Sequence, residues 1–401
     1  MRHAQLNLHL QLNLRLAALA IAVLAACGCG DRRSDAPAAV QPRAGPDPEL
    51  LRPLPQVAEA ECAAPIDLTP PVEVTVGTRA ATQGGYKLTF EDRDADGTLV
   101  LGVLGPLDED SGANLLAIGK YLRFFKEQRA DAIVVTGNVG ETPDGIARVL
   151  LALAQSRLPV LVLAGARECR ADFTNGVLDA QAKASNVVNM NRFRAVEFPE
   201  ATLVSLPGFH DPSYLGCATG CLYYKSTVDE VIRIAREARN PVLLVAHGSP
   251  RGNAPGALDY TPVGGNVGDA EINRAIKEGN IPFGVFSNIR EAGGRGTDSP
   301  EGRQAVPEGQ MAKRLYVNPG PADTVRWEMN DDGYRSGMAA VIRLKGDQAS
   351  LKVYRAKPLT TAEETQALKL DPPRRRPEGT VVGQSGATPG RTARASKAYR
   401  P

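Results

Sequence analysis

Few imidazoles in this 401-residue chain are available for acid–base or metal chemistry. It has four histidines, and His3 and His9 lie in a leader-like N-terminus, so the body keeps only His210 and His247. A centre built from three or four imidazoles is therefore excluded. Other candidate groups stand where apolar runs end. Asn138 and Glu141 follow ADAIVVTG, Arg167 and Glu168 follow PVLVLAGA, and His247 ends PVLLVA. Asn288, Arg290, Glu291 and Arg295 follow IPFGVF, and Asn318 follows RLYV. In open α/β sheets, ligands collect beyond the carboxyl ends of strands.

His210 beside Asp211 reads either as half of an acid–base dyad or as a loop histidine bonded to backbone. Cys217 and Cys221, flanked by Gly216 and Gly220, suit a small disulfide loop, and the pairing of Cys62 and Cys169 stays open. A zinc site is the rival reading, but no second CxxC-like pair completes it. DRDADG (residues 92–97) opens like a calcium loop, yet Val103 stands where the bidentate Glu belongs, so an acidic turn is expected. No GxSxG elbow, Walker loop or HExxH is present.

The elements that must position these groups alternate. Val72 to Phe90 reads as one or two short strands. Strands are predicted at residues 98–105, 130–138 and 159–168, with helices over 115–128 and 146–155 between them. Short strands follow at 186–189 and 201–206, a helix over 228–238, and a strand over 241–250. Asp269 then caps a helix to about Lys277. The stretches at 281–286 and 314–321 and the antiparallel pair MAAVIRL and ASLKVYR close the pattern. Continuous apolar strands alternating with helices predict an α/β domain with buried strands, over residues 72–356.

Around that domain the composition changes. Arg2 and Arg15 precede an apolar run, Leu16 to Ala26, of about 11 residues, which reads as an export signal and is too short to span a bilayer. LAAC, ending at Cys27, is similar to the lipobox of bacterial lipoproteins. Residues 1–27 are thus expected to be a lipoprotein signal with Cys27 lipidated, anchoring the chain to a membrane. Gly28 rather than Asp follows the cysteine, which suggests an outer-membrane address facing the periplasm. Residues 28–71, rich in Pro and Ala, read as a disordered tether, and residues 357–401 as a disordered basic tail. A net charge of +2 and 5% aromatic residues argue against a nucleic-acid partner.

The order of the strand-end turns resembles the calcineurin-like metallophosphoesterase family over residues 98–355. In that family successive strands end in D-x-H, GD-x-x-D, GNH-D/E, a lone His and GH-x-H, followed by NPG. Here the first turn has Gly105, Pro106 and Leu107, the second Gly137, Asn138 and Glu141, and the third Gly165, Ala166, Arg167 and Glu168. His247 keeps the lone His. Ser287, Asn288, Ile289 and Arg290 replace GH-x-H, and Asn318, Pro319 and Gly320 match NPG. The resemblance implies a four-layer sandwich of two mixed sheets flanked by helices. Of the family's metal ligands only His247 is unchanged, so the resemblance implies a pseudoenzyme, a binding or scaffold protein without a dinuclear centre.

Two states of the altered site then follow. Arg167 and Arg290 pair with Glu168 and Glu291 as structural ion pairs, or they hold a phosphate or other anion with His247, Asn138 and Asn288. The competing class is a divergent phosphoester hydrolase with one weakly held divalent metal (Mn, Fe or Zn) at His247, Asn138 and Asn288. The anchor implies the membrane and an envelope protein as partners.

Overall fold

The computed structural model describes residues 62–67, 69–92 and 96–371. Cys27, the signal and most of the expected tether lie outside the described residues, as does the chain after Asp371.

Fifteen strands form the two main sheets. They are β1 (Val72–Val76), β2 (Arg79–Gly84), β3 (Lys87–Phe90), β4 (Thr98–Leu104), β5 (Ala132–Val135), β6 (Val160–Val162), β7 (Val187–Asn189) and β8 (Ala195–Glu197), followed by β9 (Thr202–Leu206), β10 (Val242–Ala246), β11 (Phe283–Val285), β12 (Arg295–Thr297), β13 (Leu315–Asn318), β14 (Met338–Lys345) and β15 (Gln348–Arg355). Among the described residues, six α-helices flank them: α1 (Gly112–Glu127), α2 (Pro143–Ala154), α3 (Arg170–Gln181), α4 (Lys225–Glu237), α5 (Ala270–Glu278) and α6 (Thr361–Leu370).

One sheet runs β1-β2-β3-β8-β9-β10-β11-β13-β12 and the other β15-β14-β4-β5-β6-β7. Both are mixed: β4 is parallel to β5 and antiparallel to β14, and β10 is parallel to β9 and β11, while β8 is antiparallel to β9. Successive strand residues point to opposite faces, and the burial follows that period. In β4, Leu99, Leu101 and Val103 enter a core shared with Leu243 and Val245 of β10, so that core lies between the sheets. Val100 and Leu104 face the other way, against α1, α2 and α3. Val242, Leu244 and Ala246 of β10 likewise pack under α4 and α5. The result is a four-layer sandwich, as the resemblance implies. Strands buried on both faces explain why the sequence runs are apolar throughout rather than alternating.

Helix starts follow local chemistry. Thr142 accepts the Gly145 N–H with Pro143 in the first turn, and Asp269 accepts the Glu271 N–H at 2.9 Å. The sequence did not disclose α3, whose buried stripe is Phe173, Gly176, Val177 and Ala180. Two of those four have almost no apolar bulk. Gly176 is required there, because a Cβ would lie 2.6 Å from the Ile146 Cβ on α2.

Three expectations are corrected. The disulfides join Cys62 to Cys221 and Cys169 to Cys217, not Cys217 to Cys221. The reason is position: Cys221 is fully buried in the core beneath α1–α3, whereas Cys217 stands outside it beside the start of α3. The boundary at residue 72 also moves. Cys62 and Ala64 are buried, and the Ala64 N–H donates to the Asn191 carbonyl, so the fold begins at least ten residues before β1. Finally, part of the expected tail is helix α6, started by Thr360 and Glu363 in a reciprocal cap. It docks on α1 through Lys120–Glu363 (2.8 Å) and the Gly112 N–H donated to Asp371 (2.7 Å).

Candidate functional site

The turns after β4, β5, β6, β10, β11 and β13 meet at one edge of the sandwich. Asn138 joins three of them. It is 2% exposed, with left-handed backbone (φ 54°), a conformation Asn tolerates better than most residues. Its Oδ1 accepts the N–H groups of Ala166 (2.9 Å) and Arg167 (3.1 Å), while its carbonyl accepts those of Leu107 and Asp108. Gly165 makes this possible, because a Cβ there would lie 2.4 Å from that Oδ1.

Glu168 is buried and does similar work. Its two carboxylate oxygens accept the N–H groups of Val139 (2.6 Å) and Gly165 (3.0 Å). Burial pushes its carboxyl up to about 7 against the pull of those N–H groups, and Asp108 nearby adds to the rise.

His247 is fully buried, and its Nδ1 lies 2.9 Å from the Thr136 carbonyl. A carbonyl only accepts, so Nδ1 carries the proton and Nε2 keeps a lone pair. Nε2 has no hydrogen bond of good geometry. Burial first, and the Arg290 charge beside it, lower the imidazole to about 4, so it is neutral at pH 7.

Arg290 lies between two carboxylates and an indole. Its Nη2 is 2.5 Å from Asp108, its Nε is 3.9 Å from Asp323, and its guanidinium sits 4.6 Å over the Trp327 ring. Asp108 (8% exposed) and Asp323 (fully buried) came from outside the sequence motifs. The Trp327 indole N–H donates to Asp323 at 3.0 Å. Burial and the neighbouring Asp108 raise the Asp323 carboxyl above its ordinary range. Arg167 sits further out, paired with Glu141 and 3.7 Å from Asp108.

The two arginines therefore do form ion pairs, but with Asp108, Asp323 and Glu141 rather than with Glu168 and Glu291. Asp108 sits in a turn where φ is 63°, one residue past the aligned motif, so strand-end reading alone passes over it. Asp323 follows NPGP and is likewise outside the motif. Its aspartate in a loop between two strands was the one available signal.

Asn318 is buried as a structural residue: its amide donates to the Ile289 carbonyl (2.7 Å) and accepts the Gly320 N–H (3.0 Å). Asn288 is half-buried and its N–H donates to the His247 carbonyl at 2.9 Å. With Phe209, His210, Tyr214 and Ser249 it lines a crevice of about 30 Å³, on the order of two waters. His210 forms no dyad. Asp211 instead accepts from Ser213 backbone and side chain, and the His210 Nδ1 is buried without a partner.

A divalent metal does not fit these residues. The Asn138 oxygen is engaged by two N–H groups, Leu107 is buried hydrocarbon, and two guanidinium groups stand among the turns. At Gly105 a Cβ would lie 2.2 Å from the Gly320 carbonyl, so the position cannot accept a ligating side chain without backbone movement. Among the described residues no group of three or more His, Cys, Asp or Glu side chains is arranged to hold a metal ion.

No protein-family model matches the chain, and no curated protein does. Among solved structures it is similar to TT1561 of Thermus thermophilus, at 12% identity and a TM-score of 0.41, covering 65% of this chain and 100% of that one. It is also similar to GAP50, the anchor in the inner membrane complex of Plasmodium, at 11% identity and 0.40 over 71% and 99%. A dimetal phosphatase from Danio rerio aligns at 11% identity and 0.38 over 64% and 96%.

Proposed function

We propose that this chain is a non-catalytic binding or scaffold protein of the bacterial cell envelope, lipid-anchored through Cys27, on a calcineurin-like metallophosphoesterase framework that has lost most of its metal ligands and keeps His247. The observation that carries the reading is the role of Asn138. Where the family's turn places a bridging carboxylate, this chain has an amide whose oxygen closes two backbone N–H groups. A neutral amide oxygen is a poor partner for two cations, and one already accepting two hydrogen bonds is poorer.

Anion capture by Arg167 and Arg290 finds less support, because each guanidinium is already paired with carboxylate. One observation favours the hydrolase reading: the buried Nε2 lone pair of His247, which lacks a hydrogen bond of good geometry, is the kind of donor a single metal uses. Elemental analysis of purified protein, with a generic phosphoester assay in manganese, decides between them. The scaffold reading expects no stoichiometric metal and no turnover. Bound metal with turnover abolished by His247→Ala would overturn it.

A further inference from the structure

We infer that Arg290 is the site's own cation: a side-chain guanidinium that balances the buried carboxylates of Asp108 and Asp323, so that this edge of the fold assembles without an external cation.

The placement argues for it from several sides. Asp108 and Asp323 come from the turns after β4 and β13, and the intervening backbone draws them together, since the Asp323 N–H donates to the Pro106 carbonyl at 3.0 Å. Two buried carboxylates at close quarters repel and lose hydration, which is costly unless a positive charge compensates them or one keeps its proton, the direction in which burial and Asp108 push Asp323. Asp108 has one oxygen with no hydrogen bond, so its charge is met chiefly at the other oxygen, where Arg290 stands. Arg290 Nε lies 3.9 Å from Asp323, within ion-pair range, and donates no hydrogen bond. Trp327 fixes both groups at once, donating its N–H to Asp323 while its ring faces the Arg290 guanidinium. The side chains of Arg290 and Asp323 are 14% and 1% exposed, so solvent screens the cluster poorly.

Arg167 does not duplicate this role. Its side chain is 41% exposed, its nearest approach to Asp108 is 3.7 Å, and Glu141 takes its other nitrogen. The same Arg290 guanidinium adds to the burial that keeps His247 neutral, since a fixed positive charge nearby disfavours a second one. Packing alone would make Arg290 replaceable by any side chain of its length. Charge balance makes its loss depend on the acids that remain.

The experiment is a thermal-melt cycle on the full chain, with Arg290→Met, Asp323→Asn, their combination, and Arg290→Lys, each in EDTA and in excess manganese. Arg290→Met is expected to lower Tm by on the order of 10 °C, the scale of an uncompensated buried charge. Asp323→Asn in the same chain is expected to recover at least half of that loss, and Arg290→Lys to lose less than Arg290→Met. The parent protein is expected to melt alike in EDTA and manganese. Equal losses from Arg290→Met in both Asp323 backgrounds, including failure of both variants to fold, would overturn the inference by showing a packing role only. A manganese-raised Tm of the parent would overturn it by showing that the site takes an external ion. The inference rests on the same site as the proposed function, but it fails separately: phosphoester turnover bears on that function, and the melt cycle bears on charge balance alone.

Discussion

The Oδ1 atom of Asn138 accepts the backbone N–H groups of both Ala166 and Arg167, at 2.9 and 3.1 Å, and so ties the turn after β5 to the turn after β6. A metal-ligating oxygen at that position would have its lone pairs free. Here the same atom is a structural fastener, and the neighbouring turns have closed around it.

Replacing that fastener should be costly. Asn138→Ala leaves the buried Ala166 N–H and the part-buried Arg167 N–H without their acceptor, so a loss of roughly 1–3 kcal/mol is expected. Urea titration should show a lower midpoint at unchanged slope. A midpoint within error of the parent would mean that water replaces the amide and that the turns are not fastened by it.

Placing carboxylates in these turns should fail to create a metal site. Gly105→Asp places a Cβ 2.2 Å from the Gly320 carbonyl, and the backbone there has to move. The expected outcome is a loss of several kcal/mol or insolubility. Asn138→Asp alone should bind no manganese by calorimetry. Tight manganese binding by either variant would show that the framework remains permissive.

Glu168 should make stability depend on pH in a definite direction. Its folded carboxyl lies at about 7 against an ordinary 4.5, so the folded state favours the protonated form. That contribution is fully present below about 4.5 and is lost as pH rises through about 7. Asp323, also raised, acts in the same sense. His247 opposes both: lowered from 6.5 to about 4, its contribution is present above 6.5 and lost as pH falls through 4. The clean comparison is therefore between parent and Glu168→Gln, with melts at pH 5 and pH 8. The variant should gain on the parent as pH rises, and a gap that does not change with pH would refute the assignment.

The disulfides should contribute unequally. Cys62–Cys221 spans 159 residues and Cys169–Cys217 spans 48. Loop-closure entropy makes the longer link worth about 1 kcal/mol more, out of roughly 4–5 kcal/mol for each. The paired Cys62→Ser, Cys221→Ser variant should melt below the paired Cys169→Ser, Cys217→Ser variant. The reverse order would place the larger constraint beside α3.

The sequence alone determined an α/β domain of buried strands and the absence of a donor atom at two of its turn positions. Apolar runs of strand length between helical repeats have few ways to bury themselves, and a leucine at position 107 or a glycine at 105 offers no donor atom in any fold. Local caps were legible too, as Asp269 shows, because a cap involves only neighbours in the chain. Tertiary structure decided which side chains met. Cys221 pairs with Cys62 because both reach the same buried layer, and Arg290 pairs with Asp108 across 182 positions because two turns converge. The helix α6 was hidden for a related reason: it buries only Ala367, so its composition reads as solvated, and its place is set by contacts with α1. Residue type limits the chemistry a site can do, but partners separated in sequence are chosen by how the strands return to a common edge.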